Sequence, residues 1–381
     1  MSMYPISSTR LSRRNVLKAS GFALGASVLS LRPAQAIDAS ADATANAKTL
    51  TRLSLNENPY GPSPLVAEAI RREFTRLNRY ADATAAQQLA EQIAAYERIP
   101  VEQVVLGEIL NVLGLYLGSE GGPGSEFLYS TPGYLALIDA AAHVGGVGVP
   151  VPLNEQYHND LVTLAKKITP RTRGIYLVNP HNPTGTVEDS HVFKQFLRES
   201  SQHAVAIVDE AYLEYTDDFE ERSAASLVRD GANVMVFRTF DKIHGLAGLP
   251  IGYVLAPRSL ADALRKQGAG DAEGLGRLNI AAAGAALSDT AQITRTRTTV
   301  AKEREQWVSV LRDLNLPHTD TYTNFVFFDT GQPQPKLAAA MRAHGIDIGR
   351  AHPPYTNWAR ITIGLPEENL RAQSALRQIL R

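Results

Sequence analysis

From about Val104 onward, short apolar runs alternate with stretches of helical period. The runs cover residues 104–106, 126–129, 147–151, 174–178, 204–209, 234–239 and 252–256. Strands alternating with helices predict an α/β fold, with a mostly parallel seven-stranded sheet covered by helices on both faces. Ligands bind such sheets at the strand ends. After Pro257 the pattern is mainly helical through Leu314. Residues 323–329, 346–348 and 359–363 then read as strands of a second, smaller sheet, in a small α/β domain. No internal repeat or heptad run interrupts this plan.

The first 36 residues follow another pattern. Ser12-Arg13-Arg14-Asn15-Val16-Leu17-Lys18 is a twin-arginine motif, residues 19–31 are modestly apolar and contain glycine, and Ala34-Gln35-Ala36 is a small-x-small cleavage site. An arginine pair alone would be an ordinary basic arm; the three features in order predict an export signal that leaves a chain starting at Ile37. The segment holds five of the 38 Lys and Arg residues and none of the 39 Asp and Glu, so its removal takes the net charge to −6. The absence of cysteine fits an oxidising, periplasmic destination. Beyond the N-terminus no apolar run is long enough to span a bilayer, and the charge balance argues against a nucleic-acid partner. The expected organisation is a signal at 1–36, a leader and packing segment at 37–83, a large cofactor-binding domain at 84–277 and a small domain at 278–381.

Several strand ends carry reactive side chains. Lys242 follows the run 234–239 and precedes a turn, His244-Gly245-Leu246, where a surface charge has no obvious use. Its amine suits a Schiff base with an aldehyde cofactor. Asp209 ends an apolar run that reads as a buried strand, and a buried acid needs a partner such as a protonated ring nitrogen. Taken alone, Asp209 would read as a helix N-cap. Asn182 and Tyr212 are candidates for bonding a ring hydroxyl, while Asn182-Pro183-Thr184-Gly185 alone reads as a turn. Tyr134 either stacks on a ring or packs a helix. Arg360 interrupts an apolar strand in Trp358-Ala359-Arg360-Ile361-Thr362; it is either a carboxylate fork or a strand-edge charge.

Asn179-Pro180-His181-Asn182-Pro183-Thr184-Gly185, Val208-Asp209-Glu210-Ala211-Tyr212 and the run from Arg238 to Leu249, in this order, resemble the fold type I pyridoxal 5′-phosphate aminotransferases, class I/II, and most of all the histidinol-phosphate aminotransferase branch. The resemblance spans residues 50–381. It implies that Lys242 is the Schiff-base lysine, Asp209 the partner of the ring nitrogen, Asn182 and Tyr212 the pair on the ring oxygen, Tyr134 the stacking aromatic and Thr239 a phosphate-binding hydroxyl. It implies further that Arg360 grips the substrate carboxylate, and that Tyr60 reaches the cofactor of a second subunit in a homodimer. Asn78-Arg79-Tyr80 also has a counterpart there. The implied activity is transfer of an amino group between a small amino acid and a 2-oxo acid, with no metal.

Three places depart from that family. Asp241 stands where serine is usual, and Pro250 where an arginine pairs with the phosphate. Gly107-Glu108-Ile109 replaces a turn whose backbone amides cap the phosphate. One cation is lost and up to two carboxylates are gained. Arg277 is the expected rescuing cation across a dimer interface, or else a helix-terminal charge. The same apparatus serves racemases, lyases and decarboxylases, and Asp241 with Pro250 would also suit a binding protein that had lost its cofactor.

Overall fold

The computed structural model describes residues 50–380; the expected export signal at 1–36 and residues 37–49 lie outside them. The described residues form eleven strands: β1 (Thr51–Leu53), β2 (Val104–Leu106), β3 (Glu126–Thr131), β4 (Val147–Pro152), β5 (Thr172–Val178), β6 (Val205–Asp209), β7 (Val234–Thr239), β8 (Gly252–Leu255), β9 (Phe325–Asp329), β10 (Ile346–Ile348) and β11 (Trp358–Thr362). Seven of them make one sheet in the order β2-β8-β7-β6-β5-β3-β4. All its neighbours run parallel except β8, which is antiparallel to both β2 and β7.

Strands β5 to β7 are nearly unbroken apolar runs because both faces of the sheet are covered. Side chains alternate between faces along each strand. Leu128, Ile175, Leu177, Val208 and Val236 enter one core, while Phe127, Tyr176, Ile207, Met235 and Phe237 enter the other. Helix Arg277–Ser288 adds Ile280, Ala283 and Leu287 to the first of these cores. The core of the large sheet therefore continues past the expected border between residues 277 and 278.

The expected single small sheet is two ladders. β9 pairs antiparallel with β11, and β10 pairs parallel with β1. One backbone bond links the ladders just beyond β10, from Gly349 N–H to the Arg360 carbonyl at 3.0 Å. A third core fills this region around Trp307, Phe325, Phe328 and Leu376 and takes in Leu53, Tyr212 and Ile243. The Trp307 indole N–H donates to Asn369 Oδ1 at 3.0 Å, giving a fully buried ring its one partner.

Beneath the end of β7 lies a buried charge network. Arg238 is only 1% exposed. Its Nη2 is 3.0 Å from Glu210 Oε2 and donates to Ser223 Oγ at 2.9 Å, while its Nε lies 3.5 Å from Glu97 Oε1. Tyr253 OH donates to the same Glu97 oxygen at 2.6 Å, tying β8 to the network. Removing one partner from such a network leaves a buried charge uncompensated. Arg238→Met should cost about 3–5 kcal/mol in unfolding free energy. Denaturant titration checks this, and a loss under ~1 kcal/mol would mean that the network contributes little to stability.

Candidate active site

The C-terminal ends of β5, β6 and β7 open into one cavity of about 300 Å³. Its walls include Lys242, Asp209, Asn182, Tyr212, Tyr134, Thr239, Glu108 and Arg360. Eight side chains singled out in the sequence thus meet in one place, although they span more than 250 positions of the chain.

Asp209 sits at the last residue of β6 and is 3% exposed. Its Oδ1 accepts the Ala211 N–H at 3.0 Å and its Oδ2 accepts the Tyr176 hydroxyl at 2.9 Å. Burial pushes the carboxyl up to about 6, against the pull of those two donors and of Lys242. Lys242 lies in the turn after β7, with Nζ 5.9 Å from the centre of the Tyr212 ring. Gly245 (φ +73°) shapes that turn, and a Cβ there would meet the Gly61 backbone at 2.5 Å. Its absence lets residues 58–62 press onto the lysine turn, where Asn58 Nδ2 donates to the Ile243 carbonyl at 2.8 Å. Buried His244 is held 3.3 Å from Glu214 Oε2. Burial alone would raise the Glu214 carboxyl, but His244, Arg238 and the Tyr96 hydroxyl hold it down at about 2.

Tyr212 OH accepts the Asn56 amide at 3.0 Å, which leaves its own proton free to donate elsewhere. Arg360 Nη1 donates to Asn182 Oδ1 at 2.5 Å and its Nη2 to the Ser54 carbonyl at 3.1 Å. The buried Nε has no partner, so part of the guanidinium fork remains unused. Tyr134, half-exposed, forms part of the wall.

Four predicted residues are not in this cavity. Gly107 and Ile109 flank Glu108, but only Glu108 lines it; Leu110 and Asn111, one turn into helix Ile109–Gly121, line it as well. The Tyr60 hydroxyl is buried away from the cavity of its own chain, where burial and the carboxylates of Glu303, Glu367 and Glu368 push it up to about 12. Arg277 is engaged elsewhere: Nη1 pairs with Glu73 Oε2 at 2.8 Å, and Nη2 donates to the Tyr80 carbonyl. Sequence reasoning missed Tyr176, which looks like one more apolar strand residue. It also missed Arg350 and His352, on the loop after β10. His352 is buried, its Nε2 has no partner, and burial with the nearby Arg360 and Arg350 drives its imidazole down to about 3.

Residues 48–375 match the family of class I and II aminotransferases. The chain is 35% identical over 319 residues to the aromatic amino acid aminotransferase of Thermobifida fusca, covering 84% of this chain and 87% of that one. It is 32% identical to the histidinol-phosphate aminotransferase of Moorella thermoacetica, over 87% of this chain and 86% of that one. Among solved structures it resembles the Sinorhizobium meliloti histidinol-phosphate aminotransferase in complex with pyridoxal-5′-phosphate, with a TM-score of 0.79 and 28% identity over 87% of this chain and 91% of that one. The chain belongs to the class I and II aminotransferases. It is a fold type I, pyridoxal 5′-phosphate-dependent enzyme, which sets aside the cofactor-free binding protein.

The residues present fit most of that cofactor. Lys242 offers the amine, Asp209 a buried carboxylate for the ring nitrogen, and Asn182 and Tyr212 polar groups for the ring oxygen. The phosphate end fits poorly. Glu108 lines it, and burial with Asp241 and Asp209 pushes its carboxyl up to about 7. Asp241 is raised by burial as well, and its Oδ1 is buried without a partner. Two like charges at 4 Å repel by about 4 kcal/mol at an effective dielectric near 20.

The shift at Glu108 has a sign that can be tested. A carboxyl raised from 4.5 to about 7 contributes stability below 4.5 and loses it as pH climbs through 7. Glu108→Gln should therefore raise the melting temperature of the cofactor-free protein at pH 8 and leave it nearly unchanged at pH 4.5. Parallel melting curves for the two proteins across this range would show that Glu108 ionises freely.

Proposed function

We propose that this chain is an exported, homodimeric aminotransferase that moves an amino group between a small amino acid and a 2-oxo acid. The observation that carries this is the convergence of Lys242, Asp209 and Arg360 on one cavity. Pyridoxal phosphate, when bound, supplies the electron sink that weakens bonds at the substrate's α-carbon. Lys242 holds the aldehyde at rest and, once displaced by the substrate amine, carries the α-proton on Nζ. Asp209 keeps a proton on the ring nitrogen, and the Tyr176 hydroxyl fixes the orientation of that carboxylate. Arg360 keeps one N–H on each terminal nitrogen for the substrate carboxylate. This favours an amino acid, as the Thermobifida relative's name describes, while Arg350 adds a second cation to the same cavity.

The twin-arginine motif, the apolar stretch and Ala34-Gln35-Ala36 support export. Folded-state export would let the cofactor be loaded in the cytoplasm. Dimerisation rests on the family resemblance alone, since the Tyr60 hydroxyl is buried in its own chain.

Arg360→Ala should raise KM for the amino acid by about tenfold to a hundredfold, the cost of a charged hydrogen bond or two, with far less effect on cofactor retention. Steady-state kinetics and the visible spectrum separate the two effects. Equal loss of both would make Arg360 a structural residue. For export, replacing Arg13 and Arg14 by lysine should hold the protein in the cytoplasm, whereas the native protein should be recovered outside it beginning at Ile37. Cell fractionation with N-terminal sequencing reads this, and unaltered export of the variant would refute the signal.

A further inference from the structure

The cavity has two ends of opposite charge. Arg350 and Arg360 line one end, beside a neutral His352. Glu108 and Asp241 line the other, with Asp209 close by. Lys242 is the one cation whose charge acts on Glu108 and Asp241, and it is the residue that must carry the aldehyde. Glu108 is the N-cap of helix Ile109–Gly121, yet its side chain makes no capping bond. Asp241 Oδ1 is buried with no donor. Pro250 brings only a carbonyl, which accepts the Asn279 amide at 2.9 Å. Arg277 is committed to Glu73. Among the described residues no arginine lines the acidic end.

A phosphate entering this end gains the amides of one helix N-terminus and meets two carboxyl groups. It must therefore keep them protonated or repel them. A hydroxymethyl group carries no charge and has one O–H to give, and the Asp241 carboxyl that lines the cavity is an acceptor. The first ligand loses much of its usual anchoring here, while the second loses nothing.

We propose that the acidic end of the cavity makes this chain nearly indifferent to the cofactor's phosphate, so that unphosphorylated pyridoxal binds at Lys242 with an affinity close to that of pyridoxal phosphate. Glu108 and Asp241 set this selectivity. Pyridoxamine, with the same hydroxymethyl group and no aldehyde, occupies the same place without the covalent link. This rests on Lys242 holding the aldehyde.

The experiment is a titration of full-length mature protein, stripped of cofactor, with pyridoxal phosphate and separately with pyridoxal. Visible absorbance follows binding, and borohydride with peptide mapping locates the attachment. Dissociation constants within tenfold of each other, with both ligands fixed on Lys242, support the inference. Pyridoxal phosphate binding more than tenfold tighter overturns it, and leaves the aminotransferase reading intact. If neither ligand is fixed on Lys242, both readings fall. Asp241→Ser with Pro250→Arg should move the ratio at least tenfold toward the phosphorylated form. Glu108→Gln should move it in the same direction, and serves if the double variant does not fold. An unmoved ratio in a folded variant would show that these residues do not set the selectivity.

Discussion

A carboxylate buried at the end of a parallel sheet has to find positive charge or give up its own. Asp209 is in that position. Its two hydrogen bonds, from Tyr176 and Ala211, orient it but do not neutralise it. Its raised affinity for protons measures what is missing. In the proposed role a pyridinium nitrogen would provide the missing charge, which would make cofactor binding and the electrostatics of the sheet one problem. Much of the neighbourhood follows from it. Tyr176 must alternate onto the face that carries Asp209, β5 and β6 must pair in register from Gly174 to Val178, and Lys242 must emerge from the adjoining β7.

The lysine turn has its own supports, all reached from distant parts of the chain. Arg238, four residues earlier, is locked between Glu97 and Glu210. His244, two residues later, is held by Glu214. Asn58 caps the turn through the Ile243 carbonyl, and Gly245 permits the close approach that this bond requires. Fixing the position of Lys242 thus depends on buried charges that contribute nothing to the chemistry and would be costly if broken.

The strands were legible because burial on both faces writes a nearly continuous apolar run, and Asp209 and Lys242 stood out as charges at the ends of such runs. β1 was not legible. Three residues carry no period, and its partner β10 lies almost three hundred positions away. The same distance hid the split of the small sheet into two ladders. Tyr176 was hidden by its own burial, since a tyrosine within an apolar strand reads as core until its hydroxyl is seen on Asp209. Arg350 and His352 lie on an irregular loop, where composition says nothing about direction. Arg277 misled because a free-looking arginine at a helix start gives no hint of Glu73, two hundred positions earlier.

Arg360, at the basic end of the cavity, is fixed by two other parts of the chain. One of its nitrogens holds Asn182, the side chain proposed for the cofactor's ring oxygen, and another holds the Ser54 carbonyl. The guanidinium is therefore oriented before any substrate arrives, and a planar fork held at two points can present its remaining donors only in one direction. Binding a carboxylate there adds charge next to Asn182 without requiring the arginine to move. On the proposed reading, a substrate so held, a lysine fixed by buried ion pairs and a ring nitrogen facing Asp209 would define three points of a rigid frame. The family resemblance implies a fourth point, a phosphate paired with an arginine, where this chain has Pro250. On the proposed reading the other three suffice to place the reacting atoms, which would make acidic residues at the fourth tolerable.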